Sequence, residues 1–375
     1  MQFVSITFLI FFVLLLLSLN LCRTERQRRI VLLMASWLFY AWWDWRFPVL
    51  LLIQVLTAWT TGRALMEIKE NGRKKKAVLS AGIIICLSML IICKYFNFFI
   101  ESFCLAFGIE SPGTLNVILP VGISFYTLQS LSYMIDIYRG KVTGTLPLWL
   151  VALYIGFFPQ IMSGPIVKAH DFLPQLEQEH KLKWKNIEEG GQIFLFGLVK
   201  KFVIADTLAV CVDAVYAAPA AYSWMSILIA VCAYSFQIYG DFSGYSDMAI
   251  GVAKALGYDL GRNFNAPYLA ANPSEFWQRW HISLSSWFKE YVYFPLGGSR
   301  KGHVRTLINL LIVMLLSGLW HGAAWTYIMW GVLHGICSAI HRLYRDYRRD
   351  HRAGRGTPPP IFSSRTNTTW DYYRC

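Results

Sequence analysis

The chain has 375 residues, of which 55% are apolar and only 15% are charged, and its formal net charge is +13. Soluble domains average about 25% charged residues, so this composition argues against an ordinary soluble protein. Much of the positive charge lies in short basic loops and in 342–355, which indicates anionic lipid and not nucleic acid as the partner. The eight cysteines form no CxxC pair, and the sequence predicts no metal site.

Apolar runs that approach or reach the length of a membrane-spanning helix, about 20 residues, recur along the chain. Backbone amides in lipid must be paired within the segment, so these runs predict helices, the short ones tilted or re-entrant. The runs are Val4–Cys22, Ile30–Trp43, Phe47–Thr61, Ala77–Ile100, Leu146–Met162, Trp224–Ile238 and Leu307–Leu319. The predicted fold is an all-α polytopic membrane protein with one membrane domain at 1–340.

The first apolar run is interpreted as a retained anchor and not as a signal peptide. It has no basic residue before it and no small-residue cleavage site after it. The loops Arg23–Arg29 and Arg63–Lys76 are basic, whereas Glu101–Asn116 has no lysine or arginine. Because basic loops stay in the cytoplasm, we expect the N-terminus outside. Beyond about Gly164 this pattern no longer fixes the orientation.

Two polar features interrupt the apolar sequence in the middle of the chain. Lys200–Lys201 divide the run from Gln192 to Val215, which predicts two helical pieces or a helix at the lipid interface. The segment Tyr239–Met248 places two carboxylates and four hydroxyls between apolar flanks.

In a helix, Asp241 of this segment would face Tyr245, and Ser243 would face Asp247, four residues apart in each case. Intramembrane carboxylates are costly and usually face a polar cavity or a partner. A self-satisfied structural network and a functional polar site both remain open.

The segment Asn272–Glu275 has the signals of a helix start: a capping Asn, a Pro at the first position and a Glu at the third. An aromatic stripe follows at three- and four-residue spacing, opposite a polar face. This predicts one amphipathic helix through Tyr291 that lies in the interface or re-enters the membrane. His281 lies beside the stripe, either as a simply solvated or hydrogen-bonded side chain or as part of a site.

The segment Gly318–Gly322 ends an apolar run and places His321 among apolar residues. Histidine is the side chain best able to exchange a proton near neutral pH, so His321 is a candidate base. Gly322 would let a substrate or another backbone come close. His334, four residues after Trp330, is a candidate partner. A structural histidine and a proton-relay element are the alternatives.

Six segments together resemble the membrane-bound O-acyltransferase (MBOAT) family, in particular its branch of bacterial alginate O-acetyltransferase membrane subunits. They are Leu119–Tyr126, Phe158–Pro165, Tyr239–Gly251, Asn263–Tyr268, Glu275–Ser285 and Gly318–Trp325. The motifs WHISLS and GLWHG are specific as a pair. The resemblance implies an MBOAT-like helical bundle with tilted, re-entrant and interfacial helices around a buried tunnel, which an acyl thioester enters from the cytoplasm.

The resemblance implies that His321 is the essential catalytic histidine and that His281 is the second. Acyl transfer to a hydroxyl needs a base, which supplies about 10²–10⁴-fold, and donors for the developing oxyanion. The candidates for the tunnel lining or for orienting the acceptor are Trp280, Trp320, Asp241, Ser243, Tyr245, Asp247 and His334. Because the sequence contains no GxSxG motif, we favour direct transfer over an acyl-enzyme.

The expected donor is acetyl-CoA or a carrier-protein thioester, with no tightly bound cofactor. The resemblance implies a bacterial cytoplasmic (inner) membrane location and three partners: the lipid bilayer, a periplasmic or membrane-anchored SGNH-type acetyltransferase, and polysaccharide export machinery. The expected acceptor is an extracellular polysaccharide such as alginate. Peptidoglycan O-acetylation and D-alanyl transfer to teichoic acid are alternatives. A proton-coupled transporter and an inactive scaffold are alternatives of other classes.

The C-terminal stretch departs from the family pattern. Members continue with further membrane segments after the helix equivalent to Ala323–Ile340. Here 341–375 is basic, contains Pro, Ser and Thr, and lacks an apolar period, which predicts a disordered tail. We interpret it as a truncated or frame-shifted C-terminus or as a shortened variant, and either bears on whether the chain is active.

Overall fold

The computed structural model describes residues 1–69, 72–110, 113–115 and 118–353, and no β-strand occurs in these ranges. In chain order the α-helices are α1 (Ile6–Leu21), α2 (Glu25–Ala41), α3 (Phe47–Glu67), α4 (Gly72–Leu90), α5 (Phe96–Phe107), α6 (Ile123–Tyr138), α7 (Leu148–Gly156), α8 (Phe158–Ile161), α9 (Ala169–Glu177), α10 (Trp184–Val199), α11 (Thr207–Ala217), α12 (Trp224–Ala255), α13 (Pro273–Arg279), α14 (Ile282–Phe288), α15 (His303–His321) and α16 (Trp325–Ala353). The π-helical segments Ile91–Tyr95, Lys200–Asp206 and Lys289–Tyr293 continue α4, α10 and α14. The predicted all-α architecture is confirmed.

Four of the described helices are long and apolar enough to cross a membrane, judged by length and composition. They are Phe47–Glu67, the continuous helix Gly72–Phe107, Trp224–Ala255 and His303–His321, and the shorter α1 is also apolar. Each of the four contains one of the apolar runs read from the sequence. The prediction of a polytopic membrane protein is therefore confirmed.

The apolar run Leu146–Met162 does not form a single helix. It forms α7 and α8, which are separated at Phe157, and every residue from Leu150 to Ile161 is buried. The break precedes Pro159, whose ring cannot follow a helical turn without the loss of a backbone hydrogen bond. These residues serve as a protein core and not as a lipid-facing surface.

Internal contacts divide the chain into two compact units. The first unit comprises Met1–Leu90 and Ile118–Gly261, and the second comprises Ile91–Val117 and the residues from Arg262 onward. The single domain predicted at 1–340 therefore contains the first unit and a large part of the second. The division falls within the continuous helix Gly72–Phe107, so apolar patterning alone gave no sign of it.

In the first unit, α10 and α12 approach each other through glycines. A Cβ on Gly197 would lie 2.5 Å from the carbonyl oxygen of Gly244, and one on Gly190 would lie 2.4 Å from that of Gly251. Small residues allow membrane helices to come this close. The run that contains Lys200 and Lys201 forms two α-helices, α10 and α11, which are joined by a π-helical segment and pack against α12. This agrees with the prediction of two helical pieces.

In the second unit, α15 and α16 form a helical hairpin with equally close backbones. A Cβ on Gly318 would lie 2.3 Å from the carbonyl oxygen of Tyr327, and one on Gly331 would lie 2.6 Å from that of Met314. The pairing places His321, the last residue of α15, at the turn of the hairpin.

The disorder predicted from residue 341 is wrong for 341–353, because α16 continues to Ala353. Arg342 Nε donates a hydrogen bond to Asp346 Oδ2 (3.0 Å) one turn later, and such pairs stabilise helices. Arginine is also a good helix former although it gives no apolar period. The rest of the predicted tail, 354–375, lies outside the described residues.

Candidate active site

His281 lies at a break between two short helices. The predicted helix start is confirmed, because Asn272 Oδ1 accepts a hydrogen bond from Glu275 N (2.9 Å). The single helix predicted through Tyr291 is wrong, because α13 ends at Arg279 and α14 begins at Ile282. Between them His281 has φ 44° and ψ 54°, in the left-handed region. Non-glycine residues rarely adopt this conformation, and histidine is among those that do so more often.

The break is held by the segment that precedes α13. Asn265 N donates to the Arg279 carbonyl, and Ile282 N donates to the Asn263 carbonyl, both at 2.9 Å. The Asn263 side chain is 1% exposed, and its Oδ1 accepts from Ser283 Oγ (2.8 Å) and from Ser283 N (3.3 Å). Asn263 therefore caps α14 from a distant position in the sequence. Its motif was noted in the sequence, but its capping role was missed because it depends on the tertiary fold.

His281 is surrounded by rings. It is 1% exposed, and its ring centroid lies 5.5 Å from that of Trp320, 6.3 Å from that of His321 and 6.4 Å from that of Phe264. His281 lies outside the four candidate spans. Burial lowers the pKa of His281 well below its usual range, and the nearby His321 lowers it further, so this imidazole is neutral at physiological pH.

His321 lies at the end of α15 between two indoles. Its ring centroid is 5.1 Å from that of Trp320 and 5.1 Å from that of Trp330, which it meets nearly edge-on at 77°. The space next to Gly322 is filled by the ring of Tyr327, which a Cβ there would meet at 2.1 Å. The close approach expected at Gly322 is therefore made by a side chain of α16.

Two residues that sequence reasoning missed hold the carbonyl end of α15. Tyr95 Oη donates to the Leu319 carbonyl (2.6 Å), and Lys94 Nζ donates to the Trp320 carbonyl, directly before His321. The last carbonyls of a helix have no partner within it, and a cation there is favourable. A lysine within the apolar run Ala77–Ile100 was the signal available in the sequence.

His281 and His321 line one narrow cavity within the second unit. One wall is a stripe of α15 made of Leu310, Val313, Met314, Ser317 and His321. Trp277 of α13 and Ser338 of α16 contribute to other walls. The structure thus joins two imidazole rings with hydroxyl groups and apolar side chains, which is the setting that a proton transfer away from water requires.

Among the tryptophans of α13 and its end, Trp277 lines this cavity and Trp280 does not. Trp280 stacks on Phe276 (5.6 Å, 15°) and meets Phe264 edge-on at 5.1 Å. Trp277 is 9% exposed, and its Nε1 has no hydrogen-bond acceptor among the described residues. Trp277 thus occupies the place in the cavity lining that was expected of Trp280.

His334 lies one turn beyond Trp330 on α16. Its ring centroid is 4.7 Å from that of Trp330 and 5.2 Å from that of Trp277. Trp330 lies against His321, so His334 supports the rings around that histidine without lining the cavity itself.

The remaining predicted residues, Asp241, Ser243, Tyr245 and Asp247, belong to α12 in the first unit. Lys201 donates to Asp241 (2.6 Å), and Lys200 donates to Asp247. Tyr245 Oη lies 3.6 Å from Met162 Sδ, and Ser243 is fully buried. The two carboxylates are thus neutralised by the π-helical segment that follows α10, which agrees with a structural network.

Comparison with known proteins identifies the family. Residues 145–356, which include both cavity histidines, match the model of MBOAT, the membrane-bound O-acyltransferase family. The chain is 41% identical over 351 residues to a probable alginate O-acetylase AlgI of Pseudomonas putida, covering 91% of this chain and 71% of that protein. It is 36% identical over 374 residues to a peptidoglycan O-acetyltransferase of Helicobacter pylori, covering 92% of this chain and 70% of that protein.

A more distant relative is a teichoic acid D-alanyltransferase of Bacillus subtilis, which is 27% identical over 250 residues and covers 63% of this chain and 62% of that protein. The family match, the long alignments and the apolar helices agree with one another. The chain therefore belongs to the membrane-bound O-acyltransferase family and is a multi-pass membrane acyltransferase.

Proposed function

We propose that this chain passes an acetyl group from a cytoplasmic thioester toward a hydroxyl for the O-acetylation of an extracellular polysaccharide, with alginate as the first candidate. The observation that carries the proposal is the pair of imidazoles of His281 and His321, whose ring centroids lie 6.3 Å apart on one cavity. The donor would be acetyl-CoA or an acetylated carrier protein, neither held tightly.

In the proposed reaction, His321 removes the proton of the acceptor hydroxyl as its oxygen attacks the thioester carbonyl. The carbon–sulfur bond then breaks, and the thiol leaves with the proton returned by the imidazolium. A positioned base of this kind supplies about 10²–10⁴-fold. His281 orients the acceptor, and the left-handed backbone at that residue sets the direction in which its side chain leaves the chain.

The oxyanion of the intermediate needs donors that are in place beforehand. Trp277 supports this role, since the residue lines the cavity and its buried indole N–H has no acceptor among the described residues. Trp320 contributes the rigid ring surface between His281 and His321.

The choice of alginate follows from the substrates of the relatives and from how similar each relative is to this chain. Alginate O-acetylases match at 41% and 39% identity, the peptidoglycan enzyme at 36% and the D-alanyltransferase at 27%. Peptidoglycan O-acetylation and D-alanyl transfer are therefore the second and third candidates. An SGNH-type acetyltransferase would complete the transfer outside the cell, together with polysaccharide export machinery.

The proposed location is the bacterial inner membrane with the N-terminus outside and the loops 23–29 and 63–76 in the cytoplasm. A second basic surface supports entry of the donor from that side. Arg300, Lys301 and Arg305 lie near the start of α15, and the paired helix α16 ends in arginines at the same end of the hairpin, where His303 Nδ1 lies 3.3 Å from Asp346.

A Gly72→Cys variant tests this orientation. A Cβ at Gly72 meets no atom within 4 Å, so the cysteine is tolerated. We expect it to react with a thiol reagent only after the cells are permeabilised. Labelling by an impermeant reagent in intact cells would show that the orientation is the opposite of the one proposed.

The function itself is tested with the purified chain, acetyl-CoA and an oligosaccharide acceptor. We expect release of free CoA that depends on the acceptor and is lost in His321→Gln. If the protein instead moved protons or a solute across a vesicle membrane without releasing thiol, it would be a transporter. If it only bound a soluble acetyltransferase, it would be a scaffold.

A further inference from the structure

The arginine-rich part of α16 reaches the cavity of the two histidines. Arg342 and Arg345 both line it, together with His281 and His321. The two arginines are three residues apart, so they lie on one face of the helix. Sequence patterning had assigned both to a disordered tail, so nothing in it connected them with the site.

The guanidinium of Arg342 is oriented by a buried carboxylate. Its Nε donates to Asp346 Oδ2 (3.0 Å), and the Asp346 side chain is only 8% exposed. This bond uses one of the five N–H groups of the guanidinium and leaves the Nη pair for another acceptor. Arg345 brings a second guanidinium group to the same part of the cavity.

The length of the cavity can be read from both helices of the hairpin. Its stripe on α15 runs from Leu310 to His321, which at about 1.5 Å per residue is roughly 17 Å. On α16, Trp330 contacts His321, and Arg342 follows about 18 Å further along the axis. The backbone positions of Arg342 and His321 thus lie roughly 17 Å apart along the hairpin axis.

Acyl thioesters of CoA and of carrier proteins share one chemical group, the phosphopantetheine arm. About 13 bonds separate its sulfur from its phosphorus, which is roughly 15 Å when extended at the rise per bond of an extended peptide. The arm would therefore reach from His321 to the arginines. The hydroxyls of Ser317 and Ser338 lie along the way and could bind its amides.

We propose that Arg342 and Arg345 bind the phosphate of the phosphopantetheine arm and thereby place the thioester carbonyl beside His321. Guanidinium groups bind phosphate through paired, charge-assisted hydrogen bonds. The inference rests on the proposed function and extends it: the arginines select donors by their phosphate and not by their acyl group.

The test compares three donors: acetyl-pantetheine, which lacks the phosphate, acetyl-phosphopantetheine and acetyl-CoA. In the unmodified chain, kcat/KM should be at least about tenfold higher for the two phosphorylated donors, since each tenfold needs about 1.4 kcal/mol. In Arg342→Gln/Arg345→Gln this preference should fall to about one, with most of the loss in KM. Arg342→Lys keeps the charge and should retain part of it.

Arg348→Gln is the matched control. Arg348 lies on the same helix but is exposed, contacts Tyr344 Oη (3.4 Å) and does not line the cavity, so this variant should keep the full preference. An acetylated carrier protein forms a further arm of the experiment. If the double variant lost the same activity with the carrier protein as with acetyl-CoA, the effect would come from the phosphate that both donors share. If the unmodified chain used only one of the two, that one would be the natural donor.

Equal use of acetyl-pantetheine and acetyl-phosphopantetheine by the unmodified chain would overturn the proposal, and this result does not depend on whether any variant folds. The proposal would also be overturned if the double variant kept the full preference for phosphorylated donors. The arginines would then be assigned to binding anionic lipid headgroups. If the unmodified chain released thiol from none of the donors, the proposed function would fail as well. Loss of the phosphate preference alone leaves that function intact.

Discussion

The two polar clusters that interrupt the apolar sequence differ in how their groups are satisfied. In the first unit, Asp241 and Asp247 each form an ion pair with a lysine of the π-helical segment after α10. In the second unit, His281 and His321 lie among aromatic rings and line a cavity. Polar groups that neutralise one another stabilise a helix pair, whereas polar groups that face a cavity are available to a substrate.

Both clusters place polar groups within apolar sequence, where their burial is costly. That cost alone therefore does not distinguish a structural network from a reactive site. The two clusters differ in the partners of their polar groups. The lysines that pair with Asp241 and Asp247 lie 40 and 47 residues away in the sequence, so the pairing follows only from the packing of α10 on α12. The predictions below use this difference.

The largest effect is expected at His321. His321→Gln keeps much of the size and hydrogen bonding but cannot accept the proton, so acyl transfer should fall by about 10²–10⁴-fold. His281→Gln should cost less, because this residue orients the acceptor, and His334→Gln should cost least. Thiol release is the measurement, with the amount of membrane-inserted protein as the control. Near-normal transfer by His321→Gln would remove the assignment.

The next effect separates two tryptophans. Trp277→Phe keeps a ring at the cavity but removes the buried N–H proposed as the donor, so kcat should fall on the order of 10-fold, the worth of one hydrogen bond. Trp280→Phe removes the indole of a residue that stacks on Phe276 outside the lining, and it should change kcat little. The reverse order would return the donor role to Trp280.

Asn263 should act through His281. Asn263→Ala removes the acceptor that caps α14, a change that costs about 1 kcal/mol, and it releases the break at which His281 is held. Transfer should fall several-fold, and Asn263→Asp, which keeps the acceptor oxygen, should restore most of it. A chain that unfolds at lower temperature yet transfers normally would show that Asn263 stabilises the fold without positioning the site.

The smallest effect is expected in the first unit. Asp241→Asn should change transfer by less than about twofold, because the pair is partly exposed and Lys201 keeps a second carboxylate, Asp206, at 2.8 Å. Exposed pairs contribute about 0.2–1 kcal/mol, so the unfolding temperature should fall only slightly. A tenfold loss of transfer would show that this cluster contributes to substrate binding or transfer and not only to the fold.

The family and the all-α membrane fold could be predicted from the sequence, because motif spacing and the length of apolar runs are visible in the sequence itself. His281 and His321 could be selected from their motifs, and the structure places both on one cavity. The sequence did not predict the break at His281, since the aromatic stripe has the period of an unbroken helix and the hydrogen bonds from Asn263 and Asn265 come from another segment. It also missed Arg342 and Arg345, because a charged helix gives no apolar signal.

The π-helical segment Ile91–Tyr95 has a consequence for the tolerance of this chain to insertions and deletions. Such segments usually hold one residue more than the α-helix around them needs. Deletion of one residue from Ile91–Cys93 would restore a regular helix, and the residues that follow in the same helix would turn by about 100° about its axis. Lys94 and Tyr95, which hold the carbonyls before His321, would then change their direction, although no residue of the cavity had been altered. A length change in a helix remote from the motifs would thus act as a loss-of-function mutation.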